Sequence, residues 1–167
     1  MSDDFDTIKH RARLLAKGRC FEDFHPEQRF DHHWGRTLTE SDSIRFSTLT
    51  LSYNPVYFNA DTAHQQGHRR LVAHPNLVFL TVFGLSVEDL SENGGPFLGV
   101  EELTFHRPVL VGETIRARSR VRETRTSRSR PGMGVVSWHT EGLIGDEVVV
   151  DFIRTNFVRC AGAASVL

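Results

Sequence analysis

Cysteine is nearly missing from this sequence: Cys20 and Cys160 are its only two among 167 residues. Two thiols near opposite ends are too few for a disulfide framework, and neither has the neighbours of a cysteine-based zinc site. Lysine is as scarce, with Lys9 and Lys17 alone, so arginine supplies nearly all the positive charge. Neither sign dominates: the formal net charge is −1 and the pI is about 6.8, which argues against bulk electrostatic binding to nucleic acid. No apolar run approaches the roughly 18–20 residues that span a bilayer, so no membrane partner is expected. The opening MSDDFDTIKHRARLLAKGRC is polar and mixed in charge rather than signal-like, and the expected location is the cytoplasm.

What is present describes a soluble globular chain. Hydrophobic residues make up 39% and charged residues 25%, close to ordinary proportions, and the length suits one domain with its own core. The expected organisation is a lead-in over 1–20, one domain over 21–160 and a tail over 161–167. No internal repeat or low-complexity linker interrupts it.

Residues 4–17 have a modest helical pattern. The stretch from Phe21 to Trp34, broken by Pro26, reads as irregular chain or a short strand. His25, His32 and His33 lack a carboxylate or cysteine at ligand spacing, so no metal is expected. Thr39 with Asp42 three residues on is a capping box, and Ile44, Phe46, Leu49 and Leu51 follow at helical spacing. Ser52-Tyr53-Asn54-Pro55 ends that helix, because the residue before proline avoids the α region. Asn59 or Asp61 then caps a short helix that Gly67 stops.

The segment NLVFLTVFGLSVEDL, residues 76–90, has apolar positions all round. A helix of that kind must be buried on nearly every side, and Gly84 suggests a close approach by another backbone. After Pro96 the pattern is β. From Glu113 to Thr124, Ile115, Ala117, Ser119 and Val121 alternate with Arg116, Arg118, Arg120 and Arg122. Further strands are expected over 101–107, 135–141 and 147–158, with turns at SRSRPGMG (127–134) and Gly145-Asp146. One buried helix followed by long antiparallel strands predicts an α+β domain: a curved sheet wrapped around a central helix.

Five segments carry a resemblance to a known family: FEDFHPEQ (21–28), GRTLTESD (35–42), LVFLTVFGLSVEDLSEN (77–93), RPVLVGETI (107–115) and SRSRPGMGVV (127–136). In order and spacing they resemble the MaoC-like hot-dog hydratases and dehydratases, nearest to the itaconyl-CoA and mesaconyl-CoA hydratase branch. The resemblance implies a single hot-dog domain acting on acyl thioesters. It also implies a loop Asp-x-Asn-Pro-x-His, whose acid and base groups add water across an α,β-double bond or remove it. A backbone N–H at the start of the central helix would support the thioester oxygen as charge develops.

Here that loop reads Ser52-Tyr53-Asn54-Pro55-Val56-Tyr57. Ser52 stands for the aspartate and Tyr57 for the histidine, while Asn54 and Pro55 match. A hydroxyl is not a base near neutral pH, and a phenol titrates near 10 where an imidazole titrates near 6.5. At the helix start His74-Pro75 replaces the common His-Gly, and proline has no N–H to offer. The oxyanion donor must then come from Asn76 or elsewhere. His74 either caps the helix or supplies the missing titratable group. Arg69 and Arg70 fall where the resemblance places the pantetheine-phosphate entrance, and arginine suits phosphate. His64 and His68 read as exposed, His106 and His139 as structural.

The expected catalytic set is therefore Tyr57, Asn54, Ser52 and His74, with Asn76, Arg69, Arg70 and Pro75 binding substrate. The expected activity is hydration or dehydration of an enoyl thioester, on CoA or another carrier, with no cofactor. The alternatives are an inactive hot-dog partner subunit, or another reaction on the same pocket, such as isomerisation, cyclisation or thioester hydrolysis. An open sheet edge and an uncovered helix flank predict a homodimer or higher homo-oligomer in every case.

Overall fold

The computed structural model describes residues 18–93 and 95–163; the helical pattern over 4–17 lies outside them. Five strands form one antiparallel sheet: β1 (Arg29–Thr37), β2 (Phe97–Phe105), β3 (Thr114–Thr126), β4 (Met133–Ile144) and β5 (Glu147–Arg159), in the order β1-β3-β4-β5-β2. Four helices lie between β1 and β2: α1 (Glu40–Leu49), α2 (Ala60–Gln65), α3 (Pro75–Leu85) and α4 (Val87–Leu90). The sheet wraps around α3, which is the hot-dog arrangement.

The alternation in β3 is realised as expected: Ile115, Ala117, Ser119 and Val121 are buried, and Arg116, Arg118 and Arg122 are exposed. The core packs Leu77, Val78 and Val82 of α3 against Ile115, Ala117, Val150 and Phe152 of the sheet. β1 runs longer than its sequence suggested. Its alternation is hard to read because only Phe30 and His32 are buried and a bulge falls between Asp31 and Gly35.

Three expectations change. The 76–90 segment is two helices, not one: Ser86 breaks it by turning its hydroxyl back on the Phe83 carbonyl at 2.7 Å. The close approach is not at Gly84, whose Cβ position has open space, but at Gly142 on β4, where a Cβ would stand 2.5 Å from Val82. Within one chain α3 is covered on one side only, and Leu80 stays 50% exposed.

The third change is in α1. Thr39 and Asp42 form the expected capping box. The buried face, however, is Ser43 and Ser47, while Ile44, Leu49 and Leu51 are exposed. Phe46 alone of the expected apolar positions packs on the core, and hydrogen bonds help place the helix: the Ser43 hydroxyl donates to the Tyr57 and Val72 carbonyls at 3.0 and 3.2 Å.

Candidate active site

The catalytic-loop segment is shaped by backbone demands. After α1 the Thr50 hydroxyl and amide both close on the Phe46 carbonyl, and Leu51 turns the chain in the left-handed region at φ 56°. Ser52 N–H then donates back to the Ser47 carbonyl at 2.9 Å. Asn54 caps a 3-10 turn (Pro55–Tyr57), its Oδ1 accepting from Val56 N–H at 3.3 Å, so its carboxamide NH2 is the group left for other partners.

His74 joins the loop to the central helix. It is the N-cap of α3, and its Nδ1 accepts from the Asn76 N–H at 3.1 Å. That bond fixes the tautomer: Nε2 must carry the proton and donate to Ser52 Oγ, 2.9 Å away. The Ser52 hydroxyl hydrogen is thereby freed to point elsewhere. The imidazole lies between the rings of Tyr57 and Phe46, with centroids at 4.7 and 5.0 Å. Burial lowers its pKa, which keeps it neutral. As arranged, His74 caps and orients; it has no free lone pair for a base.

A short antiparallel crossing completes the site. Ala73 N–H donates to the Val109 carbonyl at 2.8 Å and Val111 N–H to the Leu71 carbonyl at 3.0 Å, which holds the helix start against the segment after β2. Between them lies a cavity of about 440 Å³ whose lining includes Asn54, Tyr57, Pro75, His68, His106 and Val109. Ser52 and His74 stand behind the Tyr57 wall and are not part of the lining.

His106 and His68, read from sequence as structural and exposed, both line this cavity. His106 Nε2 lies 3.4 Å from Asp151 Oδ1, and the other oxygen of that carboxylate is 3.1 Å from His139. A histidine on the cavity wall beside a carboxylate is a proton-transfer pair of a kind the loop itself has lost. No local pattern could have announced it, because Asp151 meets His106 only through the pairing of β2 with β5.

The expected binding residues divide. Pro75 lines the cavity, whereas Asn76 spends its N–H on His74. Arg70 Nη1 donates to the Val111 carbonyl at 3.1 Å, and Arg69 is exposed with its carbonyl accepting from His64 at 3.3 Å; neither lines the cavity. Among the described residues no cluster of three or more metal-capable side chains occurs. No helix there is long and apolar enough to cross a membrane.

Similarity to known proteins agrees with this architecture. The family model for mesaconyl-CoA hydratase matches residues 1–165. The mesaconyl-CoA hydratase of Haloarcula marismortui is 39% identical over 158 residues, covering 93% of this chain and 44% of that protein. A solved structure from Chloroflexus aurantiacus, described as a MaoC domain dehydratase, superposes with a TM-score of 0.82 at 30% identity, over 92% of this chain and 44% of its own. A Mycobacterium tuberculosis protein with a double hot-dog fold superposes with a TM-score of 0.79 at 25% identity, over 89% of this chain and 46% of its own. The chain thus spans less than half the length of these relatives.

Proposed function

The chain belongs to the mesaconyl-CoA hydratase family of MaoC-like hot-dog proteins, and on that premise we propose that it hydrates or dehydrates an acyl thioester with a rearranged set of proton-transfer groups. The observation that carries this reading is the single cavity lined by Asn54, Tyr57 and a carboxylate-paired His106.

In the hydration direction a base takes a proton from water and the oxygen adds at Cβ. The π electrons move onto the thioester oxygen as an enolate, and the protonated base then returns its proton to Cα. His106, held by Asp151, is the base. Tyr57 and the Asn54 carboxamide donate to the thioester oxygen as charge builds, replacing a helix-start N–H that Pro75 lacks. Ser52 and His74, outside the lining, support the Tyr57 side of the cavity through their mutual hydrogen bond. The reverse sequence removes water. The substrate class is an acyl-CoA or another acyl thioester, and the chemistry needs no cofactor.

A second reading has its own support. Relatives more than twice as long, at 44% coverage, make this chain comparable to one half of them. A subunit that binds acyl thioester without turning it over, beside an active partner, is consistent with the loss of both loop side chains. Either way a second hot-dog unit fits the open side of the molecule, where β2 is a sheet edge carrying exposed Phe97, Leu98, Leu103 and Phe105. Under the first reading we take that unit to be another copy of this chain, and under the second a related active subunit.

The test is loss or gain of the enoyl-thioester absorbance with mesaconyl-, itaconyl- and crotonyl-CoA. Turnover that falls about 10²–10⁴-fold in His106→Gln supports the reading. Turnover unchanged by that substitution removes His106 from the mechanism, and tight binding without turnover favours the second reading.

A further inference from the structure

Asp151 is shared between two histidines that come from different strands. Its Oδ1 lies 3.4 Å from Nε2 of His106 on the cavity wall, a long contact of the kind that unliganded sites often show. Its Oδ2 stands 3.1 Å from Nε2 of His139. The sheet dictates this meeting. Asp151 of β5 pairs with Glu141 of β4, and His139 sits two residues along on the same outer face, alternating with the buried Trp138 and Thr140. The His106 amide donates to the Val149 carbonyl at 2.9 Å, which brings its backbone alongside.

Nothing else on that face claims the carboxylate. Arg118 and Arg120, which line an outer-face pocket with His139, are spent on Glu141 and on Glu27. Arg29, also in that pocket, belongs to β1, two strands across from β4. The terminal torsion of an aspartate is broad, so one contact alone leaves the carboxylate free to swing. The His139 bond to Oδ2 removes that freedom and keeps Oδ1 on the His106 side. With Oδ1 as acceptor, His106 carries its proton on Nε2, and Nδ1 holds the lone pair that a base needs.

We propose that His139 is a positioning residue for the His106–Asp151 pair: by holding Oδ2 it presents Oδ1 to His106 and fixes which imidazole nitrogen is free for water. His139 does not line the acyl cavity and acts through Asp151 alone. Its effect on turnover rests on His106 being the base of the proposed function. Without the His139 bond the carboxylate turns, the His106 proton sits on either nitrogen, and the base is misdirected in part of the molecules.

Two substitutions separate the hydrogen bond from the ring. The amide nitrogen of glutamine stands close to where imidazole Nε2 does, so His139→Gln keeps a donor for Oδ2, whereas His139→Leu keeps bulk and loses the donor. In His139→Leu, kcat on an enoyl-CoA is expected to fall roughly tenfold or more with KM unchanged, and His139→Gln to recover most of it. Nitrogen-15 NMR, recorded well above the usual imidazole pKa of about 6.5, reads the His106 tautomer without any turnover. The expected result is Nε2–H in the parent chain and in His139→Gln, and a mixture with Nδ1–H in His139→Leu. His106→Gln, measured beside them, tests the base itself. Turnover unchanged in His106→Gln, or none in the parent chain, removes the base assignment, and the tautomer comparison still decides the positioning. The proposal is overturned by an unchanged His106 tautomer in His139→Leu, or by kcat that holds in His139→Leu while it falls in His106→Gln. It is overturned equally by His139→Gln behaving like His139→Leu. Thermal melting checks that every variant is folded.

Discussion

At the scale of single residues, His74 decides how the site can work. Its Nδ1 accepts from Asn76, so the ring passes hydrogen-bond donation outward to Ser52 instead of drawing a proton inward. On the proposed reading Tyr57 is then a donor, and the proton acceptor is His106 on the cavity wall. Tyr57→Phe removes one donor to the developing enolate, and kcat is expected to fall about 10²–10³-fold with the fold intact. Steady-state kinetics beside a thermal melt would measure both. Ionisation of His74 and His32 also bears on stability. Burial lowers both pKa values; for His32 the hydrogen bond to Asp89 opposes that shift in part. The unfolded chain, with histidines near 6.5, binds more protons than the fold just below that pH. Stability from these two groups is therefore complete above about pH 6.5 and lost as pH falls toward their folded values. The melting temperature is expected to drop between pH 7 and pH 5, and to drop less in a His32→Gln, His74→Gln double variant. An equal drop in that variant would trace the loss to other groups. Much at this scale was legible in sequence, including the Thr39–Asp42 box and the Asn59 cap, because those partners are three residues apart. His106 was not, since its partner Asp151 comes from another strand.

Elements show where local pattern yields to tertiary geometry. Periodicity assigned Ile44, Phe46, Leu49 and Leu51 to the inner face of α1, yet only Phe46 packs on the core while the fold buries Ser43 and Ser47, Ser43 answering two carbonyls of the site loops. The break between α3 and α4 was hidden for a similar reason. It depends on Arg154 of β5, fully buried, whose Nη1 and Nη2 donate to Ser86 and Ser91 at 2.9 and 2.7 Å. The guanidinium also lies over the rings of Phe83 and Trp138 at 4.5 and 5.3 Å. No carboxylate pairs with it among the described residues, and desolvation pulls its pKa down to about 10. Keeping that charge buried costs on the order of 3 kcal/mol, which its hydrogen bonds and ring contacts must offset. Arg154→Ala leaves a cavity and two hydroxyls short of a donor, with an expected loss of about 2–4 kcal/mol in urea melts. Arg154→Met fills the space without the charge and is expected to stay within about 1 kcal/mol of the parent or exceed it. A loss in the Met variant as large as in the Ala variant would make the charge itself the stabilising feature.

At the scale of the whole molecule, the proposed assembly turns on the faces the single chain leaves exposed. The hot-dog layout was legible in sequence because a helix apolar on every side admits few coverings, and the alternation in β3 named the inward face outright. What one chain could not reveal is which flank stays open. Leu80 and the edge residues Phe97, Leu98, Leu103 and Phe105 remain exposed, and so do Leu49, Leu51 and Tyr53 beside the site loops. An apolar edge of that extent is expected to pair with a second copy. Light scattering should give a dimer or a higher multiple, and Leu103→Lys with Phe105→Lys should shift the mass toward monomer. A monomer at micromolar concentration in the unmodified chain would contradict that expectation.

The central claim is acyl-thioester chemistry at the cavity shared by Asn54, Tyr57 and His106, and turnover of mesaconyl-CoA tests it most directly. The purified chain is expected to change the enoyl-thioester absorbance at a steady rate, with water gained or lost and no free CoA released. His106→Gln is expected to abolish most of that rate while the melting temperature holds. Full retention of activity in His106→Gln, or no turnover across the enoyl-CoA panel by a folded oligomer, would contradict the claim.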